Sequence, residues 1–375
     1  MRKYITALFA LASLGYFLST FTGCGKELIS PNPFTDSTIV AGSDSAGYRD
    51  GLGTDARFDH PFGLAFDNAG NLYVADQGNS LIRKIDPAAN VTTLAGMVGV
   101  LGLTNGVDSL SSFNKPFSVA ADASGNVFVA DAGNNVIRKI AADGTVSTFA
   151  GTGVAGADDG TTQATFNSPL GVAADQAGNV YVADYGNDLI RKITADGTVS
   201  TIAGKQGVSG MADGQDTTAR FNLPESVAVD ATGNIYVADN GNNAIRKITP
   251  TGLVSTLAGN GTAGKSEGIG KTASFNSPFG IAVDGAGNVY VADAGNNKIR
   301  KIIPDGTVST FAGSGIKGAA NGTGANASFN TPVGLAVDAL GNIYVSDENN
   351  NLIRKITPDG IVTVIAVIHR KSAFN

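Results

Sequence analysis

Tryptophan is absent, cysteine occurs once and histidine twice in 375 residues. One cysteine, Cys24, excludes an intramolecular disulfide, so size and core must hold the chain together. Two histidines, His60 and His369, cannot build a zinc site that needs three protein ligands of that type, and no other His cluster exists. There is no G-x-S-x-G elbow, no Ser/His/Asp set, and no loop with the dense alternating oxygen donors of an EF-hand. Basic patches are missing too. Net charge is −6, the pI is near 4.9, and half the Lys and Arg after residue 25 fall in one repeated Arg-Lys pair, which argues against a phosphate-binding nucleic-acid interface. No stretch after residue 25 carries helical apolar periodicity. What is abundant is glycine, 50 residues, set among Val, Ile, Thr and Tyr next to Gly-Asn and Asp-Gly pairs. That composition predicts short strands and tight turns, and an apolar fraction of 42% suffices for a packed core.

At the N-terminus, Arg2 and Lys3 precede the uncharged run "YITALFALASLGYFLSTFTGCG", the pattern of a secretory signal. The run is also long enough to weigh as a transmembrane anchor. Small residues before a lone cysteine, "FTGC", resemble the lipobox of bacterial lipoproteins. That resemblance implies a signal peptide over 1–23 and a lipid on Cys24 after cleavage. Residues 24–36 then form a Pro-containing tether. An uncleaved anchor and an ordinary buried cysteine are the alternatives. The lipoprotein reading places the chain in a bacterial cell envelope, extracytoplasmic and anchored at the outer membrane or the cell surface.

Internal repetition dominates the rest. The phrase "NLYVADQGNSLIRKI" (Asn71–Ile85) returns as "NVFVADAGNNVIRKI" and finally as "NIYVSDENNNLIRKI". Its aspartates are Asp76, Asp131, Asp184, Asp239, Asp293 and Asp347, spaced by 55, 53, 55, 54 and 54 residues. In the third unit "GVAAD", "VYVAD", "LIRKI" and "VSTIAG" read as four strands joined by "QAGN", "YGND" and "TADGT" turns. A four-stranded meander that is apolar on both faces must lie between copies of itself, and six copies closing a ring protect the edges. The fold class is therefore all-β: one six-bladed β-propeller of four-stranded antiparallel blades over 37–367, monomeric, with a tail over 368–375. The stretch "NSPLGVAADQAGNVYVADYGNDLIRKI" resembles the NHL repeat, and all six units carry its ordered set P-x-G/S, D-x-x-G-N, V-A-D and I-R-K. The resemblance implies the propeller fold; the family includes protein-binding, RNA-binding and catalytic members.

There are six sets of the first three strands but seven candidate fourth strands. "STIVAG" (Ser37–Gly42) precedes the first unit and "GIVTVIAV" (Gly360–Val367) follows the last. Ser37–Gly42 is expected to close the ring as the outer strand of the last blade, or as an addition to it.

The Asp/Arg sets predict six ion pairs: Asp76–Arg83, Asp131–Arg138, Asp184–Arg191, Asp239–Arg246, Asp293–Arg300 and Asp347–Arg354. Near-identical copies lack the asymmetry of a site, so they read as fastenings that hold the blades in register. The longer blade-linking loops each carry Asp-, Asn- or Glu-Gly, read as turn formers. Each then carries a Phe (Phe58, Phe113, Phe166, Phe221, Phe275, Phe329), read as a plug between blades.

The positions where the copies disagree are the better pointers. After the loop proline stand Phe62, Phe117, Leu170, Glu225, Phe279 and Val333, so one carboxylate replaces an apolar ring member. After the V-A-D aspartate stand Gln77, Ala132, Tyr185, Asn240, Ala294 and Glu348. Glu225, Gln77, Tyr185, Asp188, Asn240 and Glu348 thus form the candidate binding set, on the face that carries the linking loops. The preferred function is non-catalytic binding of a protein or glycan on that face, with no cofactor and no nucleic acid. The alternative is a lactonase- or lyase-like enzyme with a divalent metal, calcium, held at the channel mouth by Glu225 among others.

Overall fold

The computed structural model describes residues 41–363. The expectations at 1–36, Cys24 included, and for the tail over 368–375 lie outside the described residues, as do Ser37–Val40. The described chain forms six antiparallel sheets arranged as the blades of one propeller.

The third blade shows why the repeat folds as it does. Its strands are Pro169–Ala174, Val180–Asp184, Leu189–Ile193 and Val199–Gly204. The first turn is fixed by Asp175, whose Oδ1 accepts the amides of Ala177 and Asn179, both at 2.9 Å. Gly178 there sits at φ +80, a conformation that favours glycine. The second turn is a single 3-10 turn, Tyr185–Asn187, ended by Asp188 in the left-handed region at φ 58. Side chains that can hydrogen-bond locally tolerate that region, and the six copies of this position are Ser80, Asn135, Asp188, Asn243, Asn297 and Asn351.

The linking loops add an element that the repeat alone does not announce. In five blades a two-residue strand from the preceding loop, such as Gly51–Leu52 or Gly214–Gln215, pairs outside the fourth strand. The third blade has only a bridge there, Gly160 to Val199. This caps an edge that would otherwise expose unpaired backbone groups.

Neighbouring blades share the core. One cluster joins Tyr181, Ala183 and Ile190 of the third blade to Phe221, Val227 and Val237 of the fourth. Innermost strands approach so closely that a Cβ on Gly171 would lie 2.6 Å from Ser226 Cα. Glycine is required at that contact.

Ring closure resolves the count of seven fourth strands. In the last blade Ile361–Thr363 pairs with the lower half of Leu352–Ile356, with Val362 opposite Ile356. Ala41 and Gly42 pair with its upper half: Gly42 bridges Leu352, and the Ile353 amide donates to the Ala41 carbonyl at 3.0 Å. These are the places that Ala203 and Gly204 take opposite Ile190 and Leu189 in the third blade. The two terminal copies therefore share one strand position, each supplying half. A further tie at the seam is Ser346, which stands where the other blades have Ala and donates its hydroxyl to the Phe62 carbonyl.

Candidate functional site

Two sets of polar residues sit near the loop-bearing face, and their environments differ. The repeated set is sealed inside the blades. Arg83, Arg138, Arg191, Arg246, Arg300 and Arg354 are fully buried with their aspartates, at N–O distances of 2.8, 3.1, 2.8, 2.8, 2.9 and 2.9 Å. In the third blade Arg191 Nη1 also donates to the Thr165 carbonyl at 3.1 Å. Its Nη2 donates to the Asp158 carbonyl and to Asp159 Oδ1, both at 2.8 Å. The guanidinium lies 5.2 Å from the centroid of Phe166, the loop Phe, which is itself fully buried. Asp184 accepts from Asn187 Nδ2 at 2.8 Å and from the Asn167 amide at 2.8 Å. Burial pushes Asp76, Asp131 and Asp239 up to about 6 against the opposing pull of these partners.

Sequence reasoning anticipated these pairs but missed two participants. Asn187 and its copies bridge each aspartate to a loop carbonyl, as Asn187 Nδ2 does to Gly156 at 2.7 Å. The acidic or amide residue of the loop's X-Gly pair takes the second arm of the arginine in five blades: Asp50, Asn105, Asp159, Asp213 and Asn321. Their X-Gly sequence by itself points only to turns. Their near-constant offset of 32 or 33 residues before the arginine was the available signal.

A second layer fastens blade to blade on the same face. The entry amides of Ser168, Leu223, Ser277, Thr331 and His60 donate to the left-handed residue of the preceding blade: Asn135, Asp188, Asn243, Asn297 and Asn351, at 2.7–3.1 Å. Asp188, expected in the binding set, is therefore engaged in this ring of clasps. Asn240 is also engaged, donating to the Pro278 carbonyl of the next blade at 3.2 Å.

Of the remaining expected residues, Glu225 lines the central channel. The innermost strands enclose a cavity of about 50 Å³ whose lining includes Phe62, Phe117, Phe279, Val333 and Glu225, with Ser118 and Ser226 beside them. Phe62 and Phe117 meet at 4.4 Å between centroids, tilted by 47°. Glu225 is only 5% exposed, and no hydrogen bond or ion pair of its carboxyl occurs among the described residues. Burial alone pushes it up to about 8, so it holds its proton near neutrality. Tyr185, half-buried on the preceding blade, feels the charges of Glu225 and Asp188, and with its own burial they raise its pKa. Glu348 sits across the closure seam in the field of His60, and burial raises it. Gln77 is half-buried on the first blade. The geometry thus brings Glu225 and Tyr185 together and leaves Glu348 and Gln77 elsewhere on the rim.

Among the described residues no three His, Cys, Asp or Glu side chains converge at the mouth, where Glu225 shares the cavity with aromatic and aliphatic residues and with Ser118 and Ser226.

The NHL-repeat family model matches residues 166–193, 221–248, 275–302 and 329–356, which are the first three strands of blades three to six and the loop Phe ahead of each. The chain is an NHL-repeat propeller. Blades one and two have the same strand plan without falling within that match. Among curated relatives, the NHL-repeat chain is 30% identical over 332 residues to "Protein SUPPRESSOR OF QUENCHING 1, chloroplastic" of Arabidopsis thaliana, covering 84% of this chain and 27% of that protein. It spans well under half the length of the curated relatives it matches first, 27%, 42% and 12% of three of them. Among solved structures, an auxiliary nutrient binding protein from Bacteroides thetaiotaomicron superposes with a TM-score of 0.63 at 18% identity, over 85% of this chain and 75% of that one. Virginiamycin B lyase from Staphylococcus aureus superposes at 0.51 and 16% identity, over 84% and 86%. Both likenesses are of fold.

Proposed function

We propose that this NHL propeller is a non-catalytic binding module, held outside the cytoplasm by a lipid on Cys24, that presents its loop-bearing face to a protein or glycan. One contrast carries the reading. Side chains common to all six copies are spent inside and between blades, whereas one position that differs, Glu225, lines the central channel with no hydrogen bond or ion pair of its carboxyl among the described residues. One structural neighbour, an auxiliary nutrient binding protein, agrees with binding. The enzyme alternative, with calcium at Glu225, is disfavoured by the lack of converging ligands.

The test compares ligand capture on a glycan array and from an envelope extract by three forms of the chain. Substituting Gln77, Tyr185 and Glu348 with Ala is expected to abolish a ligand that the parent retains. Gln176→Lys with Ala231→Lys, on exposed turns of the opposite face, is expected to leave it bound. Capture lost only in the opposite-face variant, or metal-dependent turnover of a lactone, would overturn the reading.

A further inference from the structure

The channel mouth combines features that a binding site for a neutral or anionic group would not need. An inward-facing carboxyl replaces an apolar member of the ring, and no hydrogen bond or ion pair of it occurs among the described residues. It shares the cavity with Phe62, Phe117, Phe279 and Val333, and with Ser118 and Ser226. Taking most of a carboxyl's water away without a protein partner is costly, and a partner from outside would offset that cost. Aromatic faces attract cations through the ring quadrupole, more strongly where water is excluded. The cavity of about 50 Å³ is room for a few water-sized groups, which admits an ammonium head and excludes a sugar ring. An overall charge of −6 favours the approach of a cation.

We infer that the mouth of the central channel is a receptor for an alkylammonium group, with Glu225 as its counter-ion and Phe62, Phe117 and Phe279 as its aromatic wall. This rests on the binding-module reading and names the chemistry that the same site takes. A lysine side chain of a bound protein and a free small amine carry the same group. Ion pairing requires the carboxylate, so binding releases the proton that burial keeps on Glu225, whose pKa is about 8 in the empty site. Tyr185 is the other ionisable group set against Glu225, and Asp188 lies beyond it. Tyr185 is neutral throughout the relevant range because its own pKa is raised. The site therefore takes its ligand more tightly as pH rises from 7 to 9, while the ammonium itself stays protonated.

The experiment is calorimetric titration of n-butylammonium chloride into the full chain, with n-butanol as the uncharged control. A short peptide with a single central lysine forms a second arm. Affinity for butylammonium is expected to be about tenfold higher at pH 9 than at pH 7, following the ionised fraction of a group with the cited pKa. Glu225→Gln, which keeps the shape, is expected to weaken it at least tenfold at pH 9 and to abolish the pH dependence. Phe117→Leu should weaken it less, and butanol should give no saturable heat. Binding of peptide and free amine together, or of one alone, supports the shared chemistry and identifies the source. Unchanged binding in Glu225→Gln, affinity flat between pH 7 and 9, or no binding of either amine overturns the inference. Rim-dependent capture that survives Glu225→Gln would leave the binding-module reading standing while this inference fails.

Discussion

Arg191 and Glu225 are both charged residue types buried one blade apart, yet their surroundings are opposite. Arg191 makes four hydrogen bonds and lies against a Phe face. The Glu225 carboxyl makes none among the described residues, in a cavity it shares with Phe62, Phe117 and Phe279. The first belongs to a set repeated in every blade; the second occurs once. A buried ion whose charge is met by a carboxylate and by backbone carbonyls serves the fold, because its desolvation is offset only by a geometry the fold maintains, even with Arg191 Nε left without a partner. A buried carboxyl without partners costs stability, and such a cost is expected where function requires it.

The sharpest way to break this comparison is to strip one partner from the repeated set. Asp184→Ala leaves Arg191 buried with only the half-exposed Asp159 as counter-ion, and denaturant unfolding should show a loss of about 3–5 kcal/mol. A loss below 1 kcal/mol would mean that these pairs do not hold the blades. Glu225→Gln should act in the opposite direction, and the sign depends on pH. The folded pKa, about 8, lies above the unfolded value near 4.3, so the group's contribution is intact below about pH 4 and is lost as pH rises to about 8. Thermal unfolding of Glu225→Gln should match the parent at pH 4 and exceed it at pH 9, by about 2–4 kcal/mol. Equal stability at both values would show a solvated carboxyl. The smallest effect concerns the clasps. Among the described hydrogen bonds, no side-chain clasp joins Ser80 to the Lys115 amide, whereas the other five seams have one. Ser80→Asn supplies the longer acceptor in a left-handed position that Asn tolerates, and should add about 0.5–1 kcal/mol.

Much of this architecture was legible in the residues themselves. D-x-x-G-N specifies a turn because Asp175 binds two amides and Gly178 accepts positive φ, so the strand plan follows from local chemistry. Asp–Arg pairing was legible because strand alternation brings the two side chains to one face across a short turn. The Asn187 bridge was not, since an Asn in a turn has local uses that hide a long-range one. The split fourth strand was half legible: two terminal copies were evident, but which half each fills depends on where the ring meets. Glu225 stood out as an exception to its ring, yet its isolation could be known only once Phe62, Phe117 and Phe279 were placed around it. Asp188 and Asn240, which also departed from the pattern, turn out to bond across blade seams. Divergence from a repeat marks places to look, and only packing separates a seam from a site.

The most direct test of the central claim is a carbon-detected NMR titration of the Glu225 carboxyl in the full chain, assigned by its loss in Glu225→Gln. An isolated carboxyl at the channel mouth should titrate near 8 and move down when butylammonium is added. A midpoint in the ordinary glutamate range, unmoved by the amine, would contradict it.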